Sequence, residues 1–202
     1  YDSKGKSIKG FKYKATQTIG SQPKHFRVLG KDFIVFSAGN QLKLLDRRGN
    51  NRVKVKEAIN FSGEAIYFYN SLFTTTNTKG HLIQVNTKGT VSRQTLGLDS
   101  KHDITSSSKT LVTRSDNKLS IKSNSVDLEY GSYTPPHLFY LRDKIYISIT
   151  DLEAQKIWIF DSQAKLFPSV PVFGTSAIDL ANADADAALE FVTKGDSNSL
   201  IM

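Results

Sequence analysis

A turn that returns at intervals of 40, 36 and 39 residues constrains this chain more than any other feature. Leu44-Leu45-Asp46-Arg47-Arg48-Gly49 is one copy and Gln84-Val85-Asn86-Thr87-Lys88-Gly89 is the next. Ile159-Phe160-Asp161-Ser162-Gln163-Ala164 is a later copy, and Ser120-Ile121-Lys122-Ser123-Asn124-Ser125 is a degenerate one between them. In each, a β-rich run leads to an Asp or Asn, two polar residues and a small residue. The Asp or Asn side chain can bond the backbone two residues on, and the small residue accepts a left-handed conformation. Such a unit is a tight hairpin between antiparallel strands. A second hairpin precedes it, as in Asp32-Phe33-Ile34-Val35-Phe36, Lys109-Thr110-Leu111-Val112-Thr113 and Lys144-Ile145-Tyr146-Ile147-Ser148-Ile149.

Four short strands in about 40 residues is the period of a β-propeller blade. The fold expected is all-β: a propeller of about five blades, each of four short antiparallel strands. One domain, 1–202, would hold blades near 20–56, 62–97, 101–130, 134–171 and 174–202 plus 1–13. The last blade is split because Tyr1-Asp2-Ser3-Lys4-Gly5 is a turn without its preceding strand, and Ser199-Leu200-Ile201-Met202 is a strand without its turn. Joining the two would leave no open sheet edge. The same register fits a second organisation, in which these are consecutive blades of a larger propeller. A start inside a hairpin also suggests a processed product or a piece of something larger.

The 202 residues suffice for a core without staples, and the absence of cysteine excludes disulfides and thiolate metal sites. No apolar run approaches the roughly 18 residues of a membrane helix. The net charge of +8 is uneven. Residues 1–60 hold 14 Lys/Arg and 4 Asp/Glu, while residues 151–202 hold 3 and 8. A basic first third admits an anionic partner. The lysines are scattered rather than stacked in a run, so nucleic acid is the disfavoured partner.

The one stretch with good helix propensity, Ala181 to Glu190, alternates Ala with Asn and Asp and has no apolar face at helical spacing. It reads as a loop leading into Leu189-Glu190-Phe191-Val192. Asn182, Asp184, Asp186 and Glu190 fall at its positions one, three, five and nine, with the Ala188 carbonyl at seven. Alternate oxygen ligands that curl around an ion are what Ca²⁺ takes. This spacing, framed by Ile178-Asp179-Leu180 before and Leu189 to Val192 after, resembles the calcium loop of FG-GAP and related propeller repeats. It departs from that pattern in having Ala187 where the turn glycine belongs and Asn182 as first ligand. The resemblance implies Ca²⁺ as a cofactor held by Asn182, Asp184, Asp186, Ala188 and Glu190.

The segment from Lys156 to Lys165, followed by Phe167-Pro168-Ser169-Val170-Pro171-Val172-Phe173-Gly174, has a strand, an Asp turn and a proline-flanked exit. With the acidic loop, it resembles propeller regions of Bacteroidetes-like bacterial envelope proteins. That resemblance implies fold and a location in the cell envelope, periplasm or cell surface. It implies no reaction.

Catalytic signals are weak. The four histidines, His25, His81, His102 and His137, form no metal-binding pair. His25 and His137 each follow a proline at the start of a blade and read as structural echoes. His102-Asp103 followed by Ser106, Ser107 and Ser108 can be written as a triad, but triads are defined by geometry. Strand aromatics such as Phe33, Tyr67, Trp158 and Phe160 read as packing between blades. Tyr130, Tyr133 and Pro135 sit in a segment between blades, where a peptide or sugar ring could be met. The expectation is therefore a non-catalytic protein-binding or scaffolding module of a secreted or envelope protein. Its partner would be another envelope protein. The alternative is a carbohydrate- or ligand-binding module with a calcium-ordered loop.

Overall fold

One oxygen atom organises each of three predicted turns. In the computed structural model, which describes residues 3–6, 10–184, 186 and 188–202, Asp46 Oδ1 accepts from the Arg48 and Asn50 amides at 2.8 and 2.9 Å. Asn86 Oδ1 accepts from Lys88 and Thr90 at 2.9 and 3.0 Å. Asp161 Oδ1 accepts from Gln163 and Lys165 at 2.8 and 2.9 Å. In every copy the small residue takes positive φ, at Gly49, Gly89 and Ala164. The degenerate copy differs. Ile121 pairs directly with Asn124, so Lys122 and Ser123 make a two-residue turn with Lys122 at φ 55. A further copy, Asn77-Thr78-Lys79-Gly80, escapes the 40-residue spacing: Asn77 Oδ1 holds the Lys79 and His81 amides at 3.0 and 2.9 Å.

These turns join strands within sheets, and the described residues form five antiparallel sheets. The first is β1 Lys24–Val28, β2 Lys31–Ala38, β3 Gln41–Leu45 and β4 Asn51–Lys54. The second is β5 Tyr67–Tyr69, β6 Leu72–Thr76, β7 His81–Val85 and β8 Val91–Thr95. The third is β9 His102–Ser106, β10 Leu111–Ser115, β11 Lys118–Ile121 and β12 Asn124–Asp127. The fourth is β13 His137–Leu141, β14 Lys144–Asp151, β15 Lys156–Asp161 and β16 Val172–Phe173. The fifth has three strands among the described residues, β17 Asp179–Ala181, β18 Glu190–Lys194 and β19 Leu200–Ile201. Each sheet runs in chain order apart from direction. Two compact units, residues 1–100 and 101–202, divide the sheets between them.

Within each unit the core lies between neighbouring sheets. Phe33, Val35, Leu42 and Leu44 of the first sheet pack with Phe73, Ile83 and Val85 of the second. Val112, Leu119 and Ile121 of the third meet Ile147, Ile149 and Phe160 of the fourth. Phe139, Ile157 and Ile159 then meet Ile178 and Leu180. Central strands are thus covered on both faces, and β2 and β14 are buried along nearly their whole length. A buried Phe or Ile of this kind contributes about 1.5–3 kcal/mol. Phe26, Phe33, Phe68 and Phe73 form one aromatic cluster with centroid separations of 5.2 to 5.9 Å.

Two features of the repeat are invisible in the sequence pattern. The segment before a sheet is stitched to the far end of its second strand: Gly20 N to Ser37 O, Ser62 N to Thr76 O and Thr134 N to Thr150 O, at 3.0, 3.1 and 2.9 Å. Thr175 makes the same kind of bond to Lys194 O. These stitches accompany the buried hydroxyls at Ser37, Thr76, Thr150 and Thr193. The second feature is a seat. A Cβ on Gly89 would lie 2.9 Å from the Lys54 carbonyl oxygen, so the second sheet's turn rests on β4 of the first. A Cβ on Gly49 would likewise meet the Tyr13 amide nitrogen at 2.7 Å. Residues 11–13 therefore lie against the first sheet's turn as β4 lies against the second's. Tyr1, Asp2 and Ser7 to Lys9, part of the predicted split blade, fall outside the described residues.

Candidate functional site

The loop between β17 and β18 brings three predicted acids together. Ligand oxygens of Asp184, Asp186 and Glu190 lie within 4.8 Å of one another. Oxygens sharing one Ca²⁺ at 2.3–2.6 Å are at most about 5 Å apart, so the three fit a common ion. Each also accepts one loop amide: Asp184 Oδ1 from Asp186 at 3.1 Å, Asp186 Oδ1 from Ala188 at 2.6 Å, and Glu190 Oε2 from Ala183 at 2.7 Å. Asn182 turns its Nδ2 inward, donating to the Asp186 and Ala188 carbonyls at 3.0 and 2.9 Å. Half a turn of that amide would put Oδ1 where Nδ2 stands, facing the loop. The Arg142 guanidinium donates to the Asp186 carbonyl as well. Ala187, which replaces the expected glycine, lies outside the described residues, as does Ala185.

The segment after β12 splits the predicted aromatic surface in two. Tyr130 is 91% exposed and Pro135 also faces solvent. Tyr133 does not: it is buried in the core between the third and fourth sheets, and its hydroxyl donates to the Glu129 carbonyl at 2.8 Å. Burial pushes its phenol above the ordinary value, with the nearby carboxylates of Asp151 and Glu129 adding to the shift. A residue three positions from an exposed tyrosine looks alike in sequence. Its pairing with Asp151 turns it inward. The residues just before Tyr130 line a pocket of about 300 Å³, where Val126, Asp127, Leu128 and Glu129 meet Trp158, Phe160 and Leu166. The Trp158 indole nitrogen is buried with no hydrogen-bond partner among the described residues.

The written triad has no geometry. His102 and Asp103 are neighbours in β9, so their side chains leave opposite faces. Asp103 is ion-paired with Arg114 directly opposite on β10, and both are largely buried. His137 stacks near Phe139 at 4.2 Å between centroids.

His25 has a role that sequence reasoning missed. Its Nε2 lies 3.0 Å from Asp32 Oδ1, and Arg27 reaches the same oxygen at 3.3 Å. Arg47, from the first Asp turn, reaches Asp32 Oδ2 at 3.1 Å. The hydrogen bond from His25 holds the Asp32 carboxyl below its ordinary range, burial opposes this, and Arg27 and Arg47 add to the lowering. The available signal was His25-x-Arg27 on one face of a strand directly opposite Asp32.

No protein-family model matches the chain, and no curated protein matches its sequence. Solved structures do match. BBS1N, crystallised in complex with ARL6DN, aligns over 92% of this chain and 66% of its own, with TM-score 0.58 and 9% identity. BamB from Moraxella catarrhalis aligns over 89% and 56%, with TM-score 0.51 and 16% identity. The computationally designed protein Ika8 aligns over 83% and 54%, with TM-score 0.54 and 13% identity. This chain spans 54% to 66% of the length of these structures. BBS1N and BamB are β-propellers, and the four-stranded antiparallel sheets seen here are the blades of that fold.

Proposed function

We propose that this chain is a non-catalytic, protein-binding or scaffolding propeller module of a secreted or bacterial envelope protein, with another envelope protein as partner. The carrying observation is the apolar pocket lined by the residues just before Tyr130. An exposed tyrosine one residue along the chain from an apolar concavity with acidic residues in its lining is the anatomy of an interface anchor. The crystallised partner of BBS1N supports the class of function without naming a partner for this chain. The test is affinity capture from native envelope extract with mass spectrometry. A stoichiometric partner lost in Tyr130→Asp is expected. A protein that retains no partner and turns over a small substrate would sink the reading.

The acidic loop favours a second reading, a carbohydrate- or ligand-binding module whose 182–190 loop is ordered by Ca²⁺. Asp184, Asp186 and Glu190 would hold the ion, Asn182 would join after its amide turns, and the Ala188 carbonyl would complete the set. The ion would supply only charge and loop order. Glycan arrays read with and without calcium separate this reading from the first.

A further inference from the structure

A second pocket, of about 370 Å³, lies between the first two sheets and is lined by Val28, Leu29, Lys31, Phe33, Arg52, Val53, Thr87 and Lys88. Its floor is apolar, three cations line it, and no carboxylate does. From the cations and the floor together we propose that this pocket docks an acidic peptide segment, an apolar side chain on the floor and flanking carboxylates on Lys31, Arg52 and Lys88. The proposal rests on the protein-binding reading and names the chemistry of a partner at a different surface from Tyr130.

The cations are held in place by the fold. Arg52 Nε donates to the Asp32 carbonyl at 2.7 Å, and its guanidinium carbon stands 5.3 Å from the Phe33 ring centroid. Its terminal nitrogens have no hydrogen-bond partner among the described residues, so they can take a carboxylate. Lys88 sits in the Asn86 turn, whose amides are bound by Asn86 Oδ1 and whose Gly89 is seated on Lys54. Leu29, 91% exposed, is fixed at φ 47 in the β1–β2 turn and adds an apolar wall. Nearby, Arg27 and Arg47 already share the carboxylate of Asp32. The Asp32 carboxylate is thus already neutralised before a ligand arrives, and Asp46, which acts on Arg52, lies outside the pocket lining.

Charge alone would also suit a nucleic acid. The floor decides between them. Phe33 is 2% exposed with Arg52 over its ring, and the lining offers no other ring for a base to stack on, whereas Val28, Leu29 and Val53 leave aliphatic surface for a side chain. Single-stranded nucleic acid needs such stacking platforms along a basic track. An aliphatic or aromatic side chain flanked by Asp or Glu needs only an apolar hollow with a basic rim.

The probe is a short fluorescein-labelled peptide with one phenylalanine flanked on each side by two acidic residues, read by anisotropy against the whole chain. Saturable binding is expected, weakening about tenfold in Lys31→Glu/Lys88→Glu and about tenfold when the phenylalanine becomes serine. Both lysines are solvent-exposed, so the variant folds. A Lys31→Gln/Lys88→Gln variant should fall between the unmodified chain and the charge-reversed variant. No saturation by about 1 mM peptide overturns the proposal. So does equal binding by the charge-reversed variant, or tighter binding of single-stranded DNA than of peptide. If the peptide fails while Tyr130-dependent capture succeeds, this pocket is wrong and the scaffold reading stands. If the peptide binds and capture fails, the pocket stands and the Tyr130 surface is wrong.

Discussion

At Asp161 a single carboxylate oxygen holds a whole turn, accepting two amides. In the loop at 182–190, three carboxylates do similar work and each accepts one amide. The first arrangement needs one acid and has one. The second has three acids crowded within 4.8 Å, more negative charge than its amides require. Asn86 makes the point from the other side, since an uncharged oxygen holds the same turn geometry. Charge is dispensable in the repeat turns. In the acidic loop it is in excess, and like charges at that range repel unless a cation joins them.

The largest expected effect falls on a repeat turn. Gly89→Ala places a Cβ 2.9 Å from the Lys54 oxygen at φ +85, and should lower unfolding free energy by about 3 kcal/mol in urea melts. Calcium comes next. If the acidic loop takes the ion, calcium at a hundred times its dissociation constant stabilises the chain by about 2.7 kcal/mol. That gain disappears in Asp186→Ala and survives in Asp161→Ala, which weakens only a turn. A thermal scan that shows no calcium response in the unmodified chain removes the distinction between the two loops. Asn86→Ala leaves two amides without their acceptor and should cost about 1 kcal/mol.

Ala164→Gly should do the opposite. Ala164 holds φ 63 where its counterparts are glycines, and the change should stabilise by about 0.5 kcal/mol. The smallest effect at neutral pH is that of Asp46→Asn. Side-chain and backbone hydrogen bonds from Asn50 hold the Asp46 carboxyl below 3.8. A carboxyl lowered on folding stabilises fully above its unfolded value, and that contribution fades as pH falls through 3.8 to the lower folded value. The Asn variant keeps the acceptor and should flatten the acid limb of the stability curve. An unchanged acid limb would show that the turn's charge does no more than Asn86's amide.

The turns at 46, 86 and 161 were legible because an Asp or Asn bonding its own backbone is a local event. Asn77 was missed because it follows a run of threonines rather than a 40-residue step. The outer strand of the fourth sheet is β16, Val172–Phe173. Leu166 and Phe167 begin pairing with β15, and the chain resumes at Val172 beyond Pro168 and Pro171, so the outer strand is broken. The stitches between distant backbone amides and carbonyls join residues 14 to 19 positions apart, which no local pattern encodes. The acids at 184, 186 and 190 could be read from spacing. The basic pocket could not, because Lys31, Arg52 and Lys88 come from three different strands and turns.

The seats at Gly49 and Gly89 bear on how such a chain can vary. Where one turn rests on its neighbour's main chain with no room for a Cβ, an inserted residue has nowhere to go. Length in a lineage of these chains would change by whole blades, in quanta of about 40 residues. Single additions would collect in segments away from the seats, so the turns would keep time while the loops diverged.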